Sequence, residues 1–349
     1  MHGARTGRIP EGVAGRRGPQ PSPCATIASV SPRRRLPALY LVSTLIALAA
    51  FACGGGGDSG KFEDVVVRES DVTPVIINSE LVVGPNRFVF GILGPDGTIA
   101  DAHVHLTFYD LNGDKPVRKS ETDAVARVPA RDAGLSEEIV HVHPDGTKHV
   151  HSNAGEDIGV YTASVTFDTP GVWGVEIDIH SASPRVQTTI RPRFDVLPTS
   201  STPAIGSAAP RSRNATAADV ADISEIDSSA TPTVELHTMT IADAIAAGRP
   251  TLVLFAVPGF CESRFCGPEM EIMRKLAPKY AGRAEFIHVE FYKSPGSPDR
   301  EPVDAVKEWR LRTEPWFFVI DSRGMIAAKF EGPTALAELD EALRQLVGR

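Results

Sequence analysis

The chain of 349 residues has only four cysteines, too few to staple a small scaffold, so each needs its own explanation. It also lacks a basic face. The formal net charge is −8, yet residues 1–35 hold seven arginines against Glu11 alone, a net +6, which leaves −14 for the remainder. An acidic body of that kind excludes nucleic acid as the main partner. Long apolar runs are scarce as well. The one uncharged stretch near the start, Leu36 to Ala52, is seventeen residues long, at the short limit for a membrane span of about 20. The 30 glycines and 28 prolines are enough for turns and linkers and too few for wholesale disorder. What is present, 42% hydrophobic and 23% charged residues, is ample for two buried cores.

The leader points to a compartment. Arg33, Arg34 and Arg35 precede the apolar stretch, and small residues close it before Cys53 and the glycines at 54–57, the layout of a secretory signal. The ending Ala50-Phe51-Ala52-Cys53 resembles the lipobox of bacterial lipoproteins, with Ala50 where leucine is usual and the bulky Phe51 where a small residue is usual. That resemblance implies that Cys53 is lipidated, becomes the mature N-terminus and anchors the chain to a membrane. The glycine run suits a flexible spacer from the bilayer. An uncleaved anchor and ordinary secretion are the alternatives. All three place the body outside the cytoplasm, in the periplasm or at the cell surface, where disulfides persist. Residues 1–53 are thus expected to be a disordered extension and signal, and 54–72 a tether. Cys24, in the extension, is expected to carry no chemistry.

Residues 73–198 read as an all-β domain. Short alternating runs such as Arg87–Leu93, Ala102–Tyr109, Tyr161–Phe167 and Trp173–Ile179 lie between Gly94-Pro95-Asp96-Gly97, Asn112-Gly113-Asp114 and Thr169-Pro170-Gly171. Strands of this length with such punctuation predict an immunoglobulin-like β-sandwich. Histidine is concentrated here: His103 and His105, then His141, His143, His149 and His151 around Pro144-Asp145-Gly146. A three-residue loop would close a bulged hairpin with His141 opposite His149 and all four imidazoles on one face. A two-residue Asp-Gly turn would send the two pairs to opposite faces. In the first case copper or zinc is the guest that His141, His143, His149 and His151 would suit; otherwise the hairpin is an exposed polar one. His180, His237 and His288 read as ordinary core or surface residues.

The segment 199–233 is rich in Ser, Thr, Ala and Pro and reads as a linker. Its Gly206-Ser207-Ala208-Ala209-Pro210 resembles the opening of many extracytoplasmic thioredoxin-like domains, which implies that part of it lies ordered against the C-terminal domain. Beyond it, Thr240–Ala247 starts as a capped helix, and Pro250–Val257 is an unbroken apolar run typical of a central strand covered on both faces. That run breaks at Pro258 and meets Cys261. Cys266-Gly267-Pro268-Glu269 then opens a helix with Met270, Met273, Leu276 and Tyr280 at helical spacing. A strand at 284–291, a helix at 303–309, Glu314-Pro315-Trp316, strands at 317–321 and 325–330 and a helix at 334–346 complete the pattern.

Over residues 234–349 this order resembles the thioredoxin fold. The cysteines at the strand-to-helix junction, Pro315 before a strand and the turn from Asp321 to Gly324 carry the likeness. It implies an α/β domain with a cis-proline at 315 facing the active cysteine. It also implies thiol–disulfide exchange with protein thiols or disulfides, needing no cofactor. Cys261 is the expected attacking thiol, Cys266 the resolving one, and Pro315 the contact with the partner's backbone. Four residues separate the cysteines where thioredoxins have two. Either the motif is widened, or Cys266 stands alone with Glu269 in place of the second cysteine. A helix N-terminus favours a thiolate; Arg264 would help it, and Glu262 and Glu269 would oppose it. Two other readings stand beside exchange. One is a structural disulfide in a binding module. The other is copper delivery: copper chaperones of oxidase assembly share the fold and a widened pair, but with three residues between the cysteines and a distal histidine that has no counterpart after His288, so this reading rests chiefly on the histidine-rich β domain.

Overall fold

Alternation along the strands builds the first core. Phe88, Phe90 and Ile92 of the strand Gly84–Gly94 enter it, as do Val104, Leu106 and Phe108 of His103–Asp110, because every second side chain of a strand shares a face. The computed structural model describes residues 72–348, apart from 95–96, 135–138, 143–147, 152–157, 183–184 and 262–264. It gives the backbone alone at 139–142 and 148–151. The candidate signal, Cys53 and nearly all of the tether lie outside the described residues. No helix among the described residues is long and apolar enough to cross a membrane.

Two antiparallel sheets enclose that core. One has Thr73–Ile76, Gly84–Gly94, Val160–Phe167 and Val125–Arg127 as neighbours; the other has Arg185–Ile190, Gly171–Ala182, His103–Asp110 and Val117–Asp123. They face each other through aromatic rings. Phe88 meets Phe108 edge-on at 5.3 Å, and Phe167 meets Trp173 at 4.8 Å, geometries the ring quadrupoles favour. The buried Tyr161 hydroxyl donates to the Ile99 carbonyl at 2.7 Å and accepts from the Ala102 N–H at 2.9 Å, so its polar end costs little. This domain is a β-sandwich.

The second core surrounds a four-stranded sheet ordered Glu285–Glu290, Thr251–Ala256, Trp316–Ile320, Ile326–Glu331. The first two strands are parallel and the rest antiparallel. The helix Cys266–Lys279 is the crossover between the parallel pair, and Leu336–Val347 closes the domain. Every residue of Thr251–Ala256 is buried, as an apolar run covered on both faces requires. The element order expected from the thioredoxin likeness is all present, with shifts of one or two residues at the ends.

The segment 199–233 is bound to the fold far more closely than a connection between domains requires. Ala208 bridges Met325, and Gly206 and Ala209 donate to the Ile326 and Gly324 carbonyls at 2.8 and 2.9 Å, which adds an extended edge beside the hairpin strand. The Trp309 indole N–H donates to Ser212 Oγ at 3.0 Å, and Asn214 Oδ1 accepts from the Ile241 N–H at 2.8 Å. Its scarcity of apolar side chains reflects a segment held by polar partners.

The described residues belong to one compact unit, and a polar seam joins its two cores. Arg87, on the outer face of the sandwich, reaches Glu338 through two bonds of 2.7 and 3.0 Å and the Pro333 carbonyl at 2.7 Å. Lys329 donates to Glu80 Oε1 at 2.9 Å, and Glu331 accepts from the Ser79 N–H at 2.8 Å. Burial acts to raise the Glu80 carboxyl, and the bonds it accepts from Ser200, Ser201, Lys329 and Thr202 outweigh it, holding the group well below the usual range.

Candidate functional site

Cys261 and Cys266 are joined in a disulfide with Cα atoms 6.0 Å apart. The central strand ends at Ala256, a turn closes with the Phe260 N–H on the Val257 carbonyl at 3.1 Å, and Cys261 follows. Cys266 is the first residue of the 14-residue helix that begins there. It is fully buried, whereas Cys261 keeps 6% of its surface open. The Cys266 N–H points at Cys261 Sγ, 3.4 Å away. That N–H belongs to the first helical turn, where no backbone acceptor exists within the helix. It and the helix dipole would favour a Cys261 thiolate after reduction. The pairing selects the two-cysteine alignment over the one with Cys266 alone.

Burial acts against the opposition to a thiolate that the sequence position of Glu269 suggested. Glu269 is fully buried one turn into the helix, accepting from the Thr334 N–H at 2.7 Å, and burial pushes its carboxyl well above the ordinary value. Burial of this kind disfavours the ionised form of the carboxyl. Glu262 and Arg264 fall outside the described residues.

The Glu314–Pro315 peptide bond is cis. Phe255 pairs with Trp316 across the antiparallel ladder. Pro315 therefore lies one step further along, at the end of the sheet where the chain departs for Cys261.

The histidine hairpin has Ile139–Val142 antiparallel to Lys148–His151, with His141 opposite His149 and Ile139 opposite His151. This is the pairing that a three-residue loop gives; a two-residue Asp-Gly turn would shift it by one. His143 lies outside the described residues. His103 and His105 sit on a solvent-facing side of their strand, where Asp123 takes His105 Nδ1 at 2.7 Å and raises that imidazole above its ordinary value. His180 pairs with His103 across the ladder and is exposed.

The fold brings together a group whose members are dispersed in the sequence. His237, from the short helix Val234–His237, and His288, from the strand Glu285–Glu290, place Nε2 and Nδ1 3.4 Å apart. Asp227 approaches with one carboxylate oxygen 3.4 Å from His237 Nε2 and the other 4.0 Å from His288 Nδ1. All three side chains are at most 1% exposed. Burial pushes His288 down to about 4 and the neighbouring Glu290 up to about 8. Glu290 Oε2 accepts from the Ser228 N–H at 2.8 Å, and Ser228 Oγ accepts from the Gly259 N–H at 3.0 Å, two residues before Cys261. Gly259 is needed for that approach, since a β-carbon there would collide with the Ser228 carbonyl. The one sequence signal for this group is His288 and Glu290, polar residues two apart on one face of a strand that also carries Phe286, Ile287 and Val289.

No protein-family model matches the sequence, and no curated protein does. Among solved structures, the chain is similar to a proposed thiol:disulfide interchange protein DsbE from Chlorobium tepidum, at 16% identity and a TM-score of 0.31, over 42% of this chain and 100% of that one. It is similar to a thiol:disulfide interchange protein of the thioredoxin family from Chlorobium tepidum TLS, at 15% identity and a TM-score of 0.27, over 43% and 100%. It is also similar to the PmoD soluble domain from Methylocystis sp. ATCC 49242 (Rockwell), at 11% identity and a TM-score of 0.20, over 36% and 90%. Likenesses of this size carry no functional argument, and the chemistry of the site rests on its own geometry.

Proposed function

We propose that the protein is a membrane-anchored, extracytoplasmic thiol–disulfide oxidoreductase acting through Cys261 and Cys266. The observation that carries this reading is the Cys266 N–H aimed at Cys261 Sγ from the first turn of a helix, with Cys261 the less buried residue of the two. In the reduced protein, the Cys261 thiolate attacks one sulfur of a partner disulfide; a mixed disulfide forms and the partner's other sulfur leaves as a thiolate. Cys266, having given up its proton, then attacks Cys261 Sγ. The second partner sulfur leaves, and the Cys261–Cys266 disulfide is restored, two electrons having passed to the partner. The reverse sequence oxidises a partner dithiol. Pro315, at the end of the sheet beside this junction, is the backbone contact for the partner. The Cys53 anchor and the compartment rest on the arginines at 33–35, the apolar stretch at 36–52 and the glycine spacer.

A structural disulfide in a binding module is the rival reading. A ring this small gains little from restricting the unfolded chain compared with a long one, which favours exchange. The test is trapping. Cys266→Ser leaves Cys261 unable to be resolved and is expected to accumulate mixed disulfides visible as reducible adducts on non-reducing gels. Cys261→Ser is expected to give none. Absence of adducts with Cys266→Ser in the presence of oxidised partner proteins would remove the exchange reading.

A further inference from the structure

We propose that Asp227, His237 and His288 form a four-coordinate site for one divalent transition metal of zinc's size, beside the segment that leads into Cys261. The distances carry the argument. Both contacts of His237 Nε2, to His288 Nδ1 and to the Asp227 carboxylate, are 3.4 Å, longer than the roughly 2.7–3.2 Å of a well-formed N–H···O bond. A pure hydrogen-bond network therefore leaves the two inward ring nitrogens poorly bonded. The two spacings at His237 Nε2 are, however, those of a coordination edge, and the third, from Asp227 to His288 Nδ1 at 4.0 Å, would close on binding. With Zn–N and Zn–O near 2.0–2.1 Å, a tetrahedron has edges of about 3.3–3.4 Å, whereas six-coordinate octahedral binding at about 2.1 Å gives edges near 3.0 Å. Two imidazoles and a carboxylate are also a donor set suited to zinc and its neighbours.

Charge and support agree with this geometry. Among the described residues, the ion-pair partners of the Asp227 carboxylate are the two imidazoles, with no Lys or Arg. A buried carboxylate with no Lys or Arg paired to it is one whose charge a dication would neutralise. Asp227 is already aimed: Oδ1 accepts from the Ser229 N–H at 3.0 Å and Oδ2 from the Thr233 N–H at 2.8 Å, the outer bonds that orient a metal ligand. His237 and His288 line a pocket of about 290 Å³ that also touches Asn214, Glu290 and Lys293. The pocket gives the metal a way in and leaves the fourth position to water or a small ligand. His237 Nδ1 and His288 Nε2 are both buried without a protein partner, so each can carry the ring proton while His237 Nε2 and His288 Nδ1 face the metal.

This site stands apart from the exchange reading, because the oxidised pair offers no thiolate to a metal. The experiment uses the full chain, oxidised and stripped by chelator, with His141, His143, His149 and His151 changed to alanine so that the hairpin takes no part. Titration with Co²⁺ is expected to give one equivalent bound with the intense visible bands of a tetrahedral centre, displaced by Zn²⁺. Uptake is expected to be lost in His237→Gln and Asp227→Asn. No cobalt uptake, the weak bands of octahedral cobalt, or uptake unaffected by His237→Gln would each overturn the proposal. Should circular dichroism show those variants unfolded, the hairpin-free chain decides it: a Tm that rises with Zn²⁺ concentration supports the site, and a Tm indifferent to Zn²⁺ refutes it.

Discussion

Replacing Arg87 with alanine is expected to destabilise the protein by more than a surface charge can. The guanidinium makes two bonds to Glu338 and one to the Pro333 carbonyl, and also contacts the Glu331 carbonyl at 3.2 Å. The side chains of the pair are only 15% and 20% exposed. Removing one partner of a fully desolvated pair costs about 3–5 kcal/mol, most of it from the charge left behind. The residual exposure here brings the expectation to roughly 2–4 kcal/mol. Glu338 also accepts from the Ala335 N–H at 2.9 Å, which caps the last helix, and the adjacent Thr334 N–H holds Glu269 in the helix that begins with Cys266. The loss should therefore reach the cysteine domain as well as the seam. Urea unfolding of the full chain gives the cost, and a cycle with Arg87→Met and Glu338→Gln isolates the pair, whose coupling is expected at about 1–3 kcal/mol. A loss under about 0.5 kcal/mol for Arg87→Ala, the range of ordinary surface changes, would refute the reasoning.

Two further expectations concern pH. Glu80 is held below its ordinary value of 4.5, so its contribution is present above that pH and lost as the pH falls through it. The stability difference between wild type and Glu80→Gln in thermal unfolding should shrink on acidification; a constant difference would contradict the Lys329 seam. Glu269 is raised, so its proton is retained on folding and the penalty grows as the pH climbs above 4.5. Glu269→Gln, which keeps an acceptor for Thr334, should gain in Tm over wild type with rising pH, and a fixed offset would show that Glu269 is ionised in the folded protein.

The sheet around Thr251–Ala256 was legible because a fully apolar run ending at Pro258 has few other uses. The helix after it was legible from Met270, Met273, Leu276 and Tyr280, all of which enter the core. The two cysteines were visible, but not which alignment they obey; that needed the disulfide and the helix start at Cys266. The structure of 199–233 was hidden because hydropathy registers apolar burial, and this segment is held by Ser212, Asn214 and Asp227 bonding to groups far along the chain or in its own turns. Nothing local to Arg87 reveals a carboxylate 251 residues away. The cluster of Asp227, His237 and His288 was dispersed for the same reason: only the pairing of His288 opposite Leu254 in the sheet brings that strand beside the helix bearing His237.

The central claim is that Cys261 and Cys266 exchange. Its most direct test is the reduction potential of the pair, measured on the full chain by alkylation after equilibration in glutathione buffers. A potential above about −250 mV is expected, that of a labile pair able to pass electrons. A potential below about −300 mV, where structural disulfides fall, would contradict it.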